Sequence, residues 1–186
     1  MKMAPLLRAV DADPDFRATL VHTGQHYDNN MSDIFFQELQ IPAPRYHLGI
    51  GSGLHGAQTG KMLEGIEGIL LAEKPDAVVV YGDTNSTLAG AIAAVKLHIP
   101  VVHVEAGLRS FDRTMPEEVN RLVTDALADL LLTPSPDADE NLKREGVPDS
   151  KIKLVGNVMI DALVANLDKA RERELVPKLG LKKKEF

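Results

Sequence analysis

The segment DAVVVYGDTNSTLAGAIAAVKLHIPVVHVE, residues 76–105, contains the pattern that decides the predicted fold. Residues 76–81 are a β-branched run, typical of a parallel strand buried on both faces. An alanine-rich helix follows, opened by Thr84 or Asn85, and residues 100–105 form a second apolar strand. A strand, a helix and another strand joined by short turns predict parallel pairing of the two strands.

The same alternation continues on both sides of this segment. Strands are predicted at residues 18–23, 45–48, 130–133 and 151–155, and helices at residues 2–10, 32–40, 57–74, 116–128 and 137–144 and from Val158. Pro116 stands at the first position of its helix, where proline is tolerated. The sequence therefore predicts an α/β fold, a Rossmann-like three-layer arrangement with helices on both faces of a parallel sheet.

Polar residues follow three of the predicted strands. They are His22 to His26 after the first strand, Gly82 to Thr87 after the third and Glu105 to Arg109 after the fourth. In parallel sheets, ligands bind beyond the carboxyl ends of the strands. The sequence therefore predicts one site at this rim of the sheet.

Carboxylates dominate the predicted site, and each has an alternative structural explanation. Asp83 stands at the mouth of the site, and the alternative is that it only forms local hydrogen bonds in a capped turn before the helix. The N-terminus of that helix also favours an anion such as phosphate. Glu105 could react or could pair with Arg109. Glu117 could share the site or form an exposed pair with Arg121, four residues on along the helix. Together these acids could divide the removal and donation of a proton between them.

Several other polar residues and one loop are near the predicted site in the sequence. Lys2, Arg109, Arg113 and Arg121 could neutralise a phosphate group, and a surface position is the commoner role for Arg113. We expect His103 to pack or to form a hydrogen bond rather than to react. The loop GIGSGLHG, residues 49–56, contains a single GxGxxG match, which alone is a weak signal for dinucleotide binding. We expect this loop to close over a substrate.

Composition excludes several classes of function. The chain has 186 residues, a net charge of −6, 4% aromatic residues and no cysteine. Acidic chains poor in aromatic residues do not favour binding to nucleic acid or to anionic membranes. No apolar run approaches the roughly 20 residues of a membrane-spanning helix. We therefore expect no nucleic-acid partner, no membrane partner, no metal, no cofactor and a cytoplasmic location.

The motifs resemble those of the non-hydrolysing UDP-N-acetylglucosamine 2-epimerases along nearly the whole chain. The matching segments are KMAPL (2–6), TGQHYD (23–28), GDTNST (82–87), HVEAGLRSFDRTMPEEVNR (103–121) and GNVMIDAL (156–163). The resemblance implies one half of a two-domain enzyme similar to one class of glycosyltransferases, the B type. It also implies interconversion of UDP-GlcNAc and UDP-ManNAc by elimination and re-addition of UDP, in a homodimer.

The resemblance also implies roles for individual residues. Asp83, Glu105 and Glu117 match catalytic carboxylates, Lys2 and Arg121 match substrate-binding positions, and Arg109 joins them as a candidate. Gln25 and His26 lie in a segment that contributes to a regulatory UDP-GlcNAc site in some members. Which carboxylate takes the C2 proton stays open.

The resemblance further implies a chain that is incomplete at both ends. We expect residues 1–170 to be an N-terminal domain without its first, central strand, and residues 171–186 to be a charged segment that leads to a second domain. The chain alone would then have little or no activity. The alternatives are a hydrolysing epimerase that releases ManNAc, a nucleotide-sugar-binding or glycosyltransferase-like module, and an inert fragment.

Overall fold

The computed structural model describes residues 2–25, 36, 38–173 and 178–180. The strands are β1 (Val21–His22), β2 (Tyr46–His47), β3 (Val78–Tyr81), β4 (Val101–Val104), β5 (Leu130–Thr133) and β6 (Ile152–Leu154). The helices are α1 (Met3–Asp11), α2 (His55–Glu73), α3 (Asn85–Lys96), α4 (Pro116–Leu127), α5 (Pro136–Arg144) and α6 (Val158–Glu172). Most of the predicted helix at residues 32–40, and most of the segment at 171–186, fall outside the described residues.

All described strand pairs are parallel, which confirms the predicted α/β fold. One sheet has the order β3-β4-β5-β6, and β1 and β2 form a separate pair. The register aligns Val80 with His103 and Val104 with Leu132. The carboxyl ends of β3, β4 and β5 therefore lie at a common edge, as the alternation of strands and helices predicts.

Helix α3 packs between α2 and α4, and its small side chains explain this arrangement. Ala89, Ala91, Ala93 and Ala94 are fully buried, and Thr84 caps the helix by accepting from the N–H of Thr87. Small residues allow helix backbones to approach closely, so α3 can bury more than one face. The N-terminus of α3 is thereby held directly beyond β3.

Residues with positive φ turn the chain sharply after β3 and β4. Gly82 has φ +65°, Glu105 has φ +71° and Gly107 has φ +79°. Glu105 is notable because residues with a β-carbon rarely adopt this conformation, and such strain is often found at functional sites. The turn after β4 therefore directs the Glu105 side chain toward the turn after β3.

Within the described residues, no helix has both the length and the apolar character that crossing a bilayer requires.

Candidate active site

Lys2 and Glu105 form an ion pair beside Gly82. The ammonium group of Lys2, just before α1, donates a hydrogen bond to Glu105 Oε2. A β-carbon added to Gly82 would lie 2.9 Å from Lys2 Nζ and 3.4 Å from Glu105 Oε2. The pair therefore lies directly against the residue that precedes Asp83.

Arg121 joins Asp83 to Glu118. Its guanidinium lies 2.6 Å from Asp83 Oδ2 and 2.8 Å from Glu118 Oε2. Burial would raise the pKa of Glu118, but hydrogen bonds from the Ser110 N–H, Arg121 and the Phe111 N–H outweigh it and lower that pKa to about 2. Glu118 is thus an ionised anchor that orients Arg121 toward Asp83 and holds the loop before α4.

The lowered pKa of Glu118 predicts a dependence of stability on pH. Because the pKa falls from 4.5 to about 2 on folding, the carboxylate stabilises the native state above pH 4.5. That contribution is lost as the pH falls toward 2. Urea unfolding should show Glu118→Gln to be clearly destabilised at pH 7, with the deficit shrinking on acidification. The exposed neighbour Glu117 provides the control, because Glu117→Gln should leave the free energy of unfolding nearly unchanged. If Glu118→Gln lost the same free energy of unfolding at pH 7 and at pH 3, this account would be contradicted.

The two ion pairs form one continuous cluster at the ends of β3 and β4. It contains Lys2, Glu105, Asp83, Arg121 and Glu118, and the backbone at 82–83 connects the two pairs. The Asp83 carbonyl also accepts a hydrogen bond of 2.8 Å from Asn120 on α4. The structure thus brings together four of the predicted residues: Lys2, Asp83, Glu105 and Arg121.

Two predicted residues are placed differently. Glu117 is exposed on the first turn of α4, and no described hydrogen bond or ion pair links it to the cluster; Arg121 pairs with Glu118 instead. Arg109 is buried, 2.7 Å from Asp125 Oδ2 and bonded through Nε and Nη2 to Glu145. The structural alternative of a Glu105–Arg109 pair is therefore wrong, and Arg109 belongs to an ion-pair network behind the site.

Gln25 is held against the start of α3. Its Oε1 accepts hydrogen bonds from the N–H and hydroxyl of Ser86, and the Ser86 hydroxyl also lies 2.8 Å from Thr23 Oγ1. Since Gln25 and the Thr84 cap already occupy first-turn N–H groups, the helix N-terminus offers fewer donors to a phosphate than the sequence indicates. His26, the other residue of the predicted regulatory segment, lies outside the described residues.

The glycine-rich loop after β2 is anchored at its start. The Gly51 N–H donates to the Gly24 carbonyl, and Gln58 Nε2 donates to the Gly51 carbonyl over 2.7 Å. Asn85 on α3 in turn contacts Gln58 and His55 of α2. These contacts place the loop beside the start of α3; its closure over a substrate stays a prediction.

Sequence reasoning missed Glu118, Asn120 and Asp125, which α4 buries toward the site. Glu118, Arg121 and Asp125 recur at spacings of three and four residues, which places them on one stripe of the helix. That periodicity is the signal in the sequence that could have identified Glu118 and Asp125.

The described residues contain no group of three or more His, Cys, Asp or Glu side chains arranged to hold a metal ion. An open depression of about 440 Å³ lies between α1 and α6, lined by Pro5, Leu6, Arg8 and Val158 among others. It contains none of the predicted site residues, so we place the site at the carboxylate cluster.

Comparison with known proteins identifies close relatives. The sequence profile of a family described as UDP-N-acetylglucosamine 2-epimerase matches residues 8–186. A UDP-N-acetylglucosamine 2-epimerase from Methanocaldococcus jannaschii is 54% identical over 177 residues, which cover 95% of this chain and 48% of that protein. A UDP-2,3-diacetamido-2,3-dideoxy-D-glucuronate 2-epimerase from Pseudomonas aeruginosa is 52% identical over 164 residues, covering 87% of this chain and 46% of that protein.

A solved structure supports the same relationship. The crystal structure of the Methanocaldococcus jannaschii UDP-GlcNAc 2-epimerase in complex with UDP-GlcNAc and UDP superposes with a TM-score of 0.91 at 53% sequence identity. The match covers 96% of this chain and 49% of that one. The chain spans about half the length of the relatives that it matches.

Proposed function

The chain belongs to the UDP-N-acetylglucosamine 2-epimerase family, and on that premise we propose that its carboxylate cluster catalyses proton transfer at C2 of UDP-GlcNAc and UDP-ManNAc. The observation that supports the proposal most strongly is the continuous cluster of Lys2–Glu105 and Asp83–Arg121 pairs at the ends of β3 and β4. Isolated structural pairs would not need to share one rim of the sheet. Each of these acids has a cation beside it, Lys2 for Glu105 and Arg121 for Asp83.

The proposed reaction is an elimination followed by re-addition. A carboxylate removes the C2 proton, the C1–O bond to UDP breaks with its electron pair leaving on UDP, and a C1–C2 double bond forms. UDP then adds back to C1 while C2 receives a proton on its other face. The proton leaves one face of C2 and returns on the other, so the reaction requires two proton-transferring groups. We assign these roles to Asp83 and Glu105, because the two residues follow adjacent strands.

Charge indicates how the substrate lies in the cluster. The cations Lys2 and Arg121 face the carboxylates of Asp83, Glu105 and Glu118, with Glu117 nearby in sequence. The excess of carboxylates disfavours a diphosphate at the centre. We therefore place the hexose against the carboxylates, and the departing UDP at the periphery, next to unused N–H donors of Lys2 and Arg121.

Activity is best tested in a chimera in which this chain replaces the 177 aligned residues of the Methanocaldococcus jannaschii relative. Incubation with UDP-GlcNAc in deuterated water should give UDP-ManNAc that carries deuterium at C2, detected by proton NMR. Release of free ManNAc and UDP would instead identify a hydrolysing epimerase. Binding of UDP-GlcNAc without exchange at C2 would indicate a binding or glycosyltransferase-like module and contradict the proposal. The 186-residue chain, assayed in parallel, tests the expectation that it has little activity alone.

The Pseudomonas aeruginosa relative supports a second candidate substrate, because it is about as similar as the archaeal one. Its named substrate is a uronate and so adds a carboxylate to the sugar. The acidic cluster disfavours a further negative charge. We therefore expect the chimera to have a higher kcat/KM for UDP-GlcNAc than for the diacetamido uronate, and the opposite preference would reassign the substrate.

Three further expectations are part of this proposal. A homodimer would be seen as a doubled mass in light scattering of the chimera. A cytoplasmic location agrees with a nucleotide-sugar substrate and is tested by cell fractionation. The domain boundary at residue 170 stays a prediction, and α6 extends from Val158 to Glu172 across that position.

A further inference from the structure

A fully buried histidine connects α4 to the turn that carries Asp83. His103 lies in β4, where its Nδ1 is 2.6 Å from Asp125 Oδ1 and its Nε2 is 2.7 Å from the carbonyl oxygen of Gly82. A carbonyl oxygen carries no proton, so Nε2 must donate. This hydrogen bond fixes the peptide group directly before Asp83.

Asp125 requires a proton on the other ring nitrogen as well. Its Oδ2 accepts the Gly107 N–H over 3.1 Å and lies 2.7 Å from Arg109 Nη1. An aspartate held by an arginine and a backbone N–H is an ionised carboxylate and can only accept. Both nitrogens of His103 therefore face acceptors, an arrangement that only a doubly protonated ring satisfies in full.

We propose that His103, as this buried imidazolium, is a positioning residue for the proton transfer at C2, an inference that rests on the proposed function. Helix α4 then holds the 82–83 turn at three points. Asn120 binds the Asp83 carbonyl, Arg121 binds its carboxylate, and Asp125 acts through His103 on the Gly82 carbonyl. The turn also contacts the Lys2–Glu105 pair, so its position sets the separation of the two reacting carboxylates.

The charge of the buried network agrees with this assignment. Arg109 and the imidazolium balance Asp125 and Glu145, and the side chains of His103, Arg109 and Asp125 are each about 1% exposed. Glu145 is the member of this network that reaches solvent, with its side chain 36% exposed. The Arg109–Glu145 bonds extend the network to the start of the turn after α5, so the imidazolium links β4, α4 and α5.

The protonation of His103 is tested by NMR on the 186-residue chain labelled with ¹⁵N at histidine. At neutral pH we expect one ring with protons on both Nδ1 and Nε2, protected from exchange with water. A single proton on the His103 ring would overturn the inference. This result does not depend on any enzymatic activity, so it stands even if the proposed function fails.

The positioning role is tested by His103→Leu in the chimera, which removes the donor to the Gly82 carbonyl and keeps an apolar side chain of similar size. Loss of the fixed turn should lower kcat on the order of 10²-fold with little change in KM. His103→Gln is the matched control, because its side-chain amide can still donate to the Gly82 carbonyl, and it should retain clearly more of kcat than His103→Leu. Unchanged kcat in His103→Leu, or equal losses of kcat in the two variants, would overturn the positioning role. An inactive unsubstituted chimera would contradict the proposed function instead.

Discussion

Glu105→Gln in the chimera should lower the rate of epimerisation by about 10²–10⁴-fold, the usual contribution of a general acid or base. Glutamine keeps the size of the side chain but cannot accept the C2 proton, and it leaves Lys2 without its ionic partner. The loss of deuterium incorporation at C2 should match the loss of product. Affinity for UDP-GlcNAc should change much less, because the carboxylate acts on the reacting carbon.

An exposed glutamate of α2 provides the control. Glu64→Gln removes the same charge at a position for which the described residues show no ion pair, and it should leave the rate unchanged. If Glu105→Gln also retained normal turnover, Glu105 would have no acid/base role, and a binding or glycosyltransferase-like module would become the better interpretation.

Gly107→Ala should lower the free energy of unfolding by about 2–5 kcal/mol, from the combined cost of a strained φ and steric overlap. Gly107 has φ +79°, and an added β-carbon would lie 2.5 Å from the carbonyl oxygen of Ala138 in α5. Backbone at that distance cannot move aside cheaply. The substitution would push α5 away and loosen the Asn141 side chain that binds the Gly107 carbonyl.

Gly146 allows the two contributions to be separated. It also has a positive φ, +89°, but an added β-carbon would have open space around it. Gly146→Ala should therefore lose only about 1–2 kcal/mol, the conformational part alone. Urea unfolding of both variants of the 186-residue chain measures the difference, and equal losses would show that Ala138 does not restrict position 107.

The local elements were predictable because their signals are local. The strand Leu130–Thr133 has the predicted bounds, β3 and β4 are shorter than predicted by one or two residues at their ends, and Pro116 is the first residue of its helix as expected. Threonine caps, proline at the first helical position and β-branched runs act over a few residues. The prediction that His103 packs or forms hydrogen bonds is confirmed for the same reason: alternation along a strand fixes which face it occupies.

The partners within the site were less predictable because they depend on distant parts of the chain. Arg109 pairs with Asp125 and Glu145, far along the sequence, whereas spacing could propose only the nearby Glu105. Likewise, adjacent residues of a helix point about 100° apart, and only the placement of the preceding loop determines that Glu118 rather than Glu117 is buried.

The most direct test of the central claim is a crystal structure of the chimera with UDP-GlcNAc bound. We predict C2 of the hexose beside the carboxylates of Asp83 and Glu105, within the roughly 3–3.5 Å of reacting groups, with the diphosphate toward Arg121 or Lys2. A hexose bound elsewhere, with the Lys2–Glu105 and Asp83–Arg121 pairs intact and away from the sugar, would contradict the account.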